Sequence, residues 1–230
     1  MGQLVVGIDG CRAGWVLVTT PAAGPGRSDV RVVPDLDGVV RGLDDGELAA
    51  AAIDIPIGLP ATGPRPCDIE ARKQIGPRRS SVFPAPMRAV LPATSYEDAA
   101  ARSREVSGKS LSKQTFAILP KIREVDRRLT SERQNSMFEG HPEVSFTILA
   151  GQPMAFPKRK PEGRRERLAV LRIVFSDIDD HLANGFRGAA ADDVIDAFVA
   201  AWTARRHSAR THRRLGGDLD ERGLRMEMIA

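Results

Sequence analysis

The sequence predicts an α/β protein built on a mixed sheet, and three observations carry that prediction. Apolar runs at 4–9 and 14–20 are joined by a tight Gly/Arg turn, the pattern of an antiparallel hairpin. A continuous apolar run at 51–55 reads as a central strand covered on both faces. Segments of helical spacing lie between and after these runs, and the clearest is the Ala-rich stretch 189–206, which is free of Gly and Pro. Three strands, a helix, a fourth strand, a helical insert, a fifth strand and a final helix together give α/β architecture.

The elements follow in order. Residues 1–6 open the first strand, and Trp15-Val16-Leu17-Val18 form the second. A Gly/Pro-rich stretch at 21–27 separates these from a third strand at 30–35, and a short helix is expected at about 37–48. The strand 51–55 carries Asp54 and is ended by Pro56 and Pro60. From about 61 to 135 the chain is expected to form a largely helical and looped insertion within one domain of residues 1–230. Helices are expected there at 95–107 and 113–129. In the second, Phe116, Ile118, Leu119, Ile122, Val125 and Leu129 supply an apolar face, and Pro120 should kink it or start a new helix. A fifth strand at 136–140 leads into a helix at about 143–150, with Pro142 in its first turn. A helix at 163–182, the helix at 189–206 and an edge strand at 225–229 complete the chain.

Bulk properties narrow the class. A chain of 230 residues with 42% hydrophobic and 28% charged residues suits a globular domain with a sizeable core. No apolar run approaches the roughly 20 residues needed to span a bilayer, and no signal-peptide pattern opens the chain, so a cytoplasmic protein without a membrane partner is expected. Cys11 and Cys67 form no paired ligand motif and read as reduced thiols. The net charge of +4 is compatible with a phosphate-rich partner. There is no nucleophile elbow, P-loop or GxGxxG turn.

The acids carry the chemistry. Asp9 ends the first apolar strand, and Asp54 sits in the fourth. The last helix opens with Asp192-Asp193-Val194-Ile195-Asp196, where Asp193 and Asp196 are three apart and share a face. Ala197, Ala200 and Ala204 lie on that side, so the face can approach another element closely. Glu139 comes near the end of the fifth strand, with Glu143 just beyond. Gathered carboxylates repel one another, and a hard divalent cation removes that cost. Two such ions about 3.5–4 Å apart serve phosphodiester cleavage. Asp9, Asp54, Glu139, Asp193 and Asp196 are therefore the expected catalytic acids. Asp9, Asp54, Asp193 and Asp196 are the expected ligands of Mg²⁺ or Mn²⁺.

The order of these acids resembles the RNase H-like superfamily. Its mixed five-stranded sheet begins with three antiparallel strands, and its acids stand on the first strand, the fourth strand and a late helix. A closer resemblance covers nearly the whole chain. GIDGCRAGW, IDIPIGLP, RPCDIEARKQIGPRRSSVFPAPMR, KIREVD, EGHPEVSF and DDVIDAFVAAWTARR resemble the motifs of a bacterial domain-of-unknown-function family of predicted RNase H-like nucleases. The resemblance implies a metal-dependent hydrolase of nucleic-acid phosphodiesters, DNA or RNA. It also directs attention to further residues. Arg72, Arg78 and Arg79 in the basic proline-rich loop, Arg12 in the first turn, and His141 with Glu143 are expected to contact substrate. Glu124 and Asp126 in KIREVD read instead as a solvated face paired with Lys121 and Arg128.

Two other functional readings fit the same chain. One is nucleotide-dependent phosphotransfer, because actin-like kinases share this core and open with an acid before a Gly-rich hairpin. The other is a nucleic-acid-binding module without catalysis.

Overall fold

The order of strands in the sheet sets the position of every acid. The computed structural model describes residues 3–230; Met1 and Gly2, expected to open the first strand, lie outside the described residues. Strands β1 (Leu4–Cys11), β2 (Gly14–Pro21) and β3 (Asp29–Val33) form an antiparallel meander. Helix α1 (Asp37–Asp44) leads into β4 (Leu48–Ile53), which pairs parallel with β1. Strand β5 (Met137–Glu139) pairs parallel with β4 and completes a mixed five-stranded sheet in the order β3-β2-β1-β4-β5.

Between β4 and β5 lie α2 (Pro66–Ile75), a 3₁₀ segment over Gly76–Ser81, α3 (Tyr96–Ser107) and α4 (Lys113–Arg128). After β5 come α5 (Pro142–Ala150), α6 (Pro161–Leu171), α7 (Ile178–Asn184), α8 (Ala191–Ser208) and a hairpin of β6 (Arg214–Leu219) and β7 (Arg225–Ile229). Among the described residues no helix is long and apolar enough to cross a membrane.

Side chains alternate across the sheet. Val6, Ile8, Ala51, Ile53 and Met137 face α1 and α4, where Leu119, Ile122, Val125 and Leu129 close the core as their spacing predicts. Val5, Ala50, Ala52 and Phe138 face α8. The far side of α8 is buried too, with Ile195, Phe198 and Val199 packed beside Phe146, Leu171 and Ile178 of α5, α6 and α7. Both cysteines are buried free thiols.

Several boundaries differ from expectation. The helix expected at 163–182 is two helices, α6 and α7, separated by turns. The helix expected at 37–48 is shorter because β4 begins at Leu48, and β4 ends one residue before Asp54. Helix α4 runs through Pro120, which sits on its exposed side, where water reaches the carbonyl the proline leaves unbonded. Strand β7 pairs with β6, which the sequence hides because Gly216 and Gly217, both at positive φ, bulge within it. The KIREVD acids are half-buried rather than a solvated face, although Glu124 has the expected Arg128 at 3.6 Å. Glu124 accepts from the Trp15 indole at 3.0 Å and from the Leu36 N–H at 3.1 Å, and Asp126 pairs with Arg88 and Arg222.

Candidate active site

A glycine places the carboxylates. At Gly7 a Cβ would stand 2.0 Å from the backbone nitrogen of Ala201 and 2.1 Å from the carbonyl oxygen of Ala197, so only glycine lets α8 lie this close to β1. The expected close approach of the alanine face is thus met at the backbone. Asp9 lies on the same face as Gly7 and points to the neighbouring turn of α8, which carries Asp196. Across the sheet Ile53 pairs with Ile8, and the Asp54 N–H donates to the Ile8 carbonyl at 3.0 Å. Asp54 therefore continues the α8-facing row of Ala50 and Ala52, beside Asp9. Asp9, Asp54 and Asp196 all line one cavity of about 510 Å³ at the carboxyl ends of β1 and β4.

The electrostatics of this cavity are unfavourable to three carboxylates. Burial pushes Asp9 well above the usual carboxylate range, and the charges of Asp54 and Asp196 push it further. Asp54 is raised by burial and drawn back by His141 and Lys158. Asp196 is pushed up to about 6 by burial, against the pull of Lys158. The Lys158 Nζ donates to Asp196 Oδ2 at 2.5 Å. Burial opposes the charge on Lys158, but Asp196, Asp54 and Asp9 hold the ammonium above its ordinary range. An amine of the chain itself thus serves as counter-cation to the cluster.

The other expected acids have different employment. Asp193 accepts from the Ala190 N–H at 2.8 Å as part of the α8 cap and does not line the cavity. Glu139 follows Phe138, which faces α8, so the period of two turns Glu139 the other way. There it takes Arg65 at 2.6 and 2.8 Å and the Ile57 N–H at 2.7 Å, although it still borders the cavity. Burial raises its pKa, and Arg65 counters that rise. Glu143 is held by Arg167 through both oxygens, at 2.8 and 2.7 Å, with Arg78 at 3.6 Å.

The expected substrate contacts divide in the same way. His141 and Arg78 line the cavity, and His141 Nε2 stands 3.3 Å from the Ser81 carbonyl. Arg72 donates twice to the Val82 carbonyl and braces the 3₁₀ segment from behind. Arg12 and Arg79 are exposed and do not line the cavity.

Sequence reasoning missed Lys158, Arg65 as the partner of Glu139, and Arg167. The basic run PKRKPEGRRER at 157–167 was the available signal for two of them. Its periodicity does not tell a solvated lysine from one that folds back. Lys158 is delivered by a loop whose Ala155 and Phe156 N–H groups donate to Glu166, while Phe156 O accepts from Arg167.

The donor chemistry fits a hard divalent cation. The donors are carboxylate oxygens whose mutual charge penalty a cation would relieve. Among the described residues no three His, Cys, Asp or Glu side chains are grouped closely enough to surround one ion. Mg²⁺ commonly takes only one or two carboxylates and fills its other positions with water and phosphate oxygens.

A family model described as "Protein of unknown function (DUF429)" matches residues 7–221. Neither the curated proteins nor the solved structures give a match.

Proposed function

From a chain that belongs to the DUF429 family, whose description assigns no activity, we propose a divalent-cation-dependent hydrolase of nucleic-acid phosphodiesters. One observation carries this reading: Asp9, Asp54 and Asp196, from β1, the end of β4 and α8, share a cavity in which their charges are costly without a cation. A site that stores such a cost has a use for positive charge. Lys158 supplies part of it within the chain.

One or two carboxylates drawn from Asp9, Asp54 and Asp196 would hold each Mg²⁺ or Mn²⁺ ion. When bound, such a cation supplies Lewis-acid polarisation of the phosphoryl group. The chain's own groups do the rest. Arg78, at the cavity wall, offers a planar donor to phosphate oxygen. His141 lines the cavity and is held by the Ser81 carbonyl. Pro56, Pro142 and Pro157 line the cavity and limit water. Glu139 and Glu143 keep the surrounding arginines in place.

The test is a panel of single- and double-stranded DNA and RNA with bis(p-nitrophenyl) phosphate, incubated with Mg²⁺ or Mn²⁺. Wild type is expected to cleave at least one substrate, and Asp9→Asn to lose cleavage and the heat of Mn²⁺ binding together. Equal activity in both proteins, or no Mn²⁺ heat in wild type, would overturn the proposal.

A further inference from the structure

A second depression opens where β1 and β4 begin, at the end of the sheet away from the acids. It has a volume of about 520 Å³ and is lined by Gln3, Ala49, His207, Ser208, Arg210 and His212, with no carboxylate among them. Asp196 and His207 stand roughly 16 Å apart along the rise of α8, and the two cavities share no lining residue. The His207 ring packs on Phe138, at 4.2 Å between centroids, and on His212, at 4.7 Å, which fixes one wall.

The surroundings are positive. Arg214 and Arg225 share Glu227, at 3.0 and 2.8 Å, and that acid is 1% exposed. Arg206, Arg210 and Arg213 take part in no ion pair among the described residues. Burial first, then His212, Arg214 and Arg225, bring His207 down to about 4, and burial with Arg214 lowers His212. Part of what makes an imidazolium costly here is therefore neighbouring positive charge, and that charge favours an anion.

Arg210 also holds an unfavourable backbone. It follows Ala209, the C-cap of α8, at φ 57°, and the described residues hold no other non-glycine residue at positive φ. The same chain ends α3 with Gly108 at φ 70° and α5 with Gly151 at φ 73°. Glycine adopts this conformation without steric penalty and is the common choice at a helix end. The bonds that close α8 come from the backbone N–H groups of Ala209, Arg210 and Thr211, which glycine would supply equally. Arg205 and Arg206, in the last turn, complement the helix dipole, whereas Arg210 lies beyond the turn and is exposed. What arginine adds at this point is its side chain, on the wall of the depression.

We propose that this depression binds a phosphate group through Arg210. The guanidinium supplies the planar fork of donors that matches phosphate oxygens, and the Ser208 hydroxyl and Gln3 amide are neutral donors on the same wall. The site is separate from the acids and stands or falls without the hydrolase reading. A free phosphate compound and a nucleic-acid backbone both carry such a group, and the test separates them.

Pyrophosphate and a single-stranded oligonucleotide lacking a terminal phosphate are titrated by calorimetry in EDTA, so that no divalent cation takes part. Pyrophosphate is expected to bind wild type, and Arg210→Gly to bind it about tenfold more weakly or worse. Without ligand, Arg210→Gly should melt roughly 2 °C or more above wild type, because glycine relieves the backbone. Weaker binding by a more stable protein cannot be ascribed to unfolding. Arg104→Ala, which removes the same charge from an exposed position on α3, should bind as wild type does. Oligonucleotide binding that also depends on Arg210 would support the site and identify the backbone as its source. Oligonucleotide binding indifferent to Arg210, with pyrophosphate still dependent on it, would support the site and identify a free phosphate compound. No pyrophosphate binding to wild type, unchanged affinity in Arg210→Gly, or equal losses in both variants would overturn the proposal.

Discussion

Gly7→Ala tests whether the close approach of α8 to β1 makes the site. The added methyl would meet Ala201 N at 2.0 Å, Ala197 O at 2.1 Å and Ala200 C at 2.7 Å, all backbone atoms of the helix. Carbon atoms rest about 3.5–4.0 Å apart, so the helix must withdraw by roughly 1.5 Å. Overpacking a core costs about 1–3 kcal/mol, and a clash with backbone on several sides belongs at the upper end. At about 2–4 °C per kcal/mol for a chain of this size, the melting temperature should fall by roughly 6–12 °C. The chemistry should suffer more than the fold, because a displacement of about 1 Å can cost on the order of a hundredfold in rate. Thermal unfolding gives the first quantity. The rate of Mn²⁺-dependent cleavage at 20 °C, below the transition, gives the second, and Mn²⁺ calorimetry shows whether the acids still gather. Gly38→Ala is the control, since its nearest neighbour is the Arg41 guanidinium at 4.0 Å and it lies within α1. A Gly7→Ala protein that melts within about 2 °C of wild type, with unchanged Mn²⁺ heat, would refute this account of how the acids are assembled.

Other perturbations separate charge from scaffold. Lys158→Met removes the counter-ion of a carboxylate that is 2% exposed, while the lysine side chain is 47% exposed, so the cost is about 1–2 kcal/mol. Mn²⁺ should then raise the variant's melting temperature by more than wild type's, and equal shifts would contradict the counter-cation role. Glu139→Gln leaves Arg65 with Asp68 as its remaining acid and should cost about 3 kcal/mol, read by urea unfolding without metal. A metal-ligand role alone would leave that stability unchanged. Burial, with His212 and neighbouring arginines, brings His207 down to about 4. The unfolded chain takes that proton first, near the ordinary histidine value. Stability is therefore lost as pH falls from about 6.5 towards 4, by about 1–2 kcal/mol after allowing for solvent screening. His207→Gln should flatten the melting profile in that window, and superimposable profiles would rule the effect out.

The sheet was legible because its signals are local. Alternation and continuous apolar runs marked β1, β2, β3 and β4, and the spacing of Leu119, Ile122 and Val125 marked the buried side of α4. Asp9, Asp54 and Asp196 were legible as candidates because isolated acids in apolar elements are costly. The period of 3.6 put Asp196 on the alanine side of its helix, whereas the face that Asp9 and Asp54 share is read from the strand register. The same reasoning failed for Glu139 because a three-residue strand gives no pattern from which to read its face. It failed for Glu143 and Arg167 because a buried ion pair joins positions 24 residues apart, across the turn between two helices. Lys158 was out of reach for a related reason: a lysine in a basic run looks solvated until a loop turns it inward.

Helix α8 is covered on both sides, by the sheet and by α5, α6 and α7, while the loop that carries Lys158 is largely exposed. These two parts of one cavity should open to solvent on very different clocks. Amide hydrogens around Asp196 should exchange only with near-global unfolding, and those of Lys158, Arg159 and Lys160 with small local openings. The acids are then a fixed electrode, and the lysine beside them is its one readily removable charge. Any adjustment the site makes on meeting a cation would show first as altered exchange in that loop, with the helix still silent.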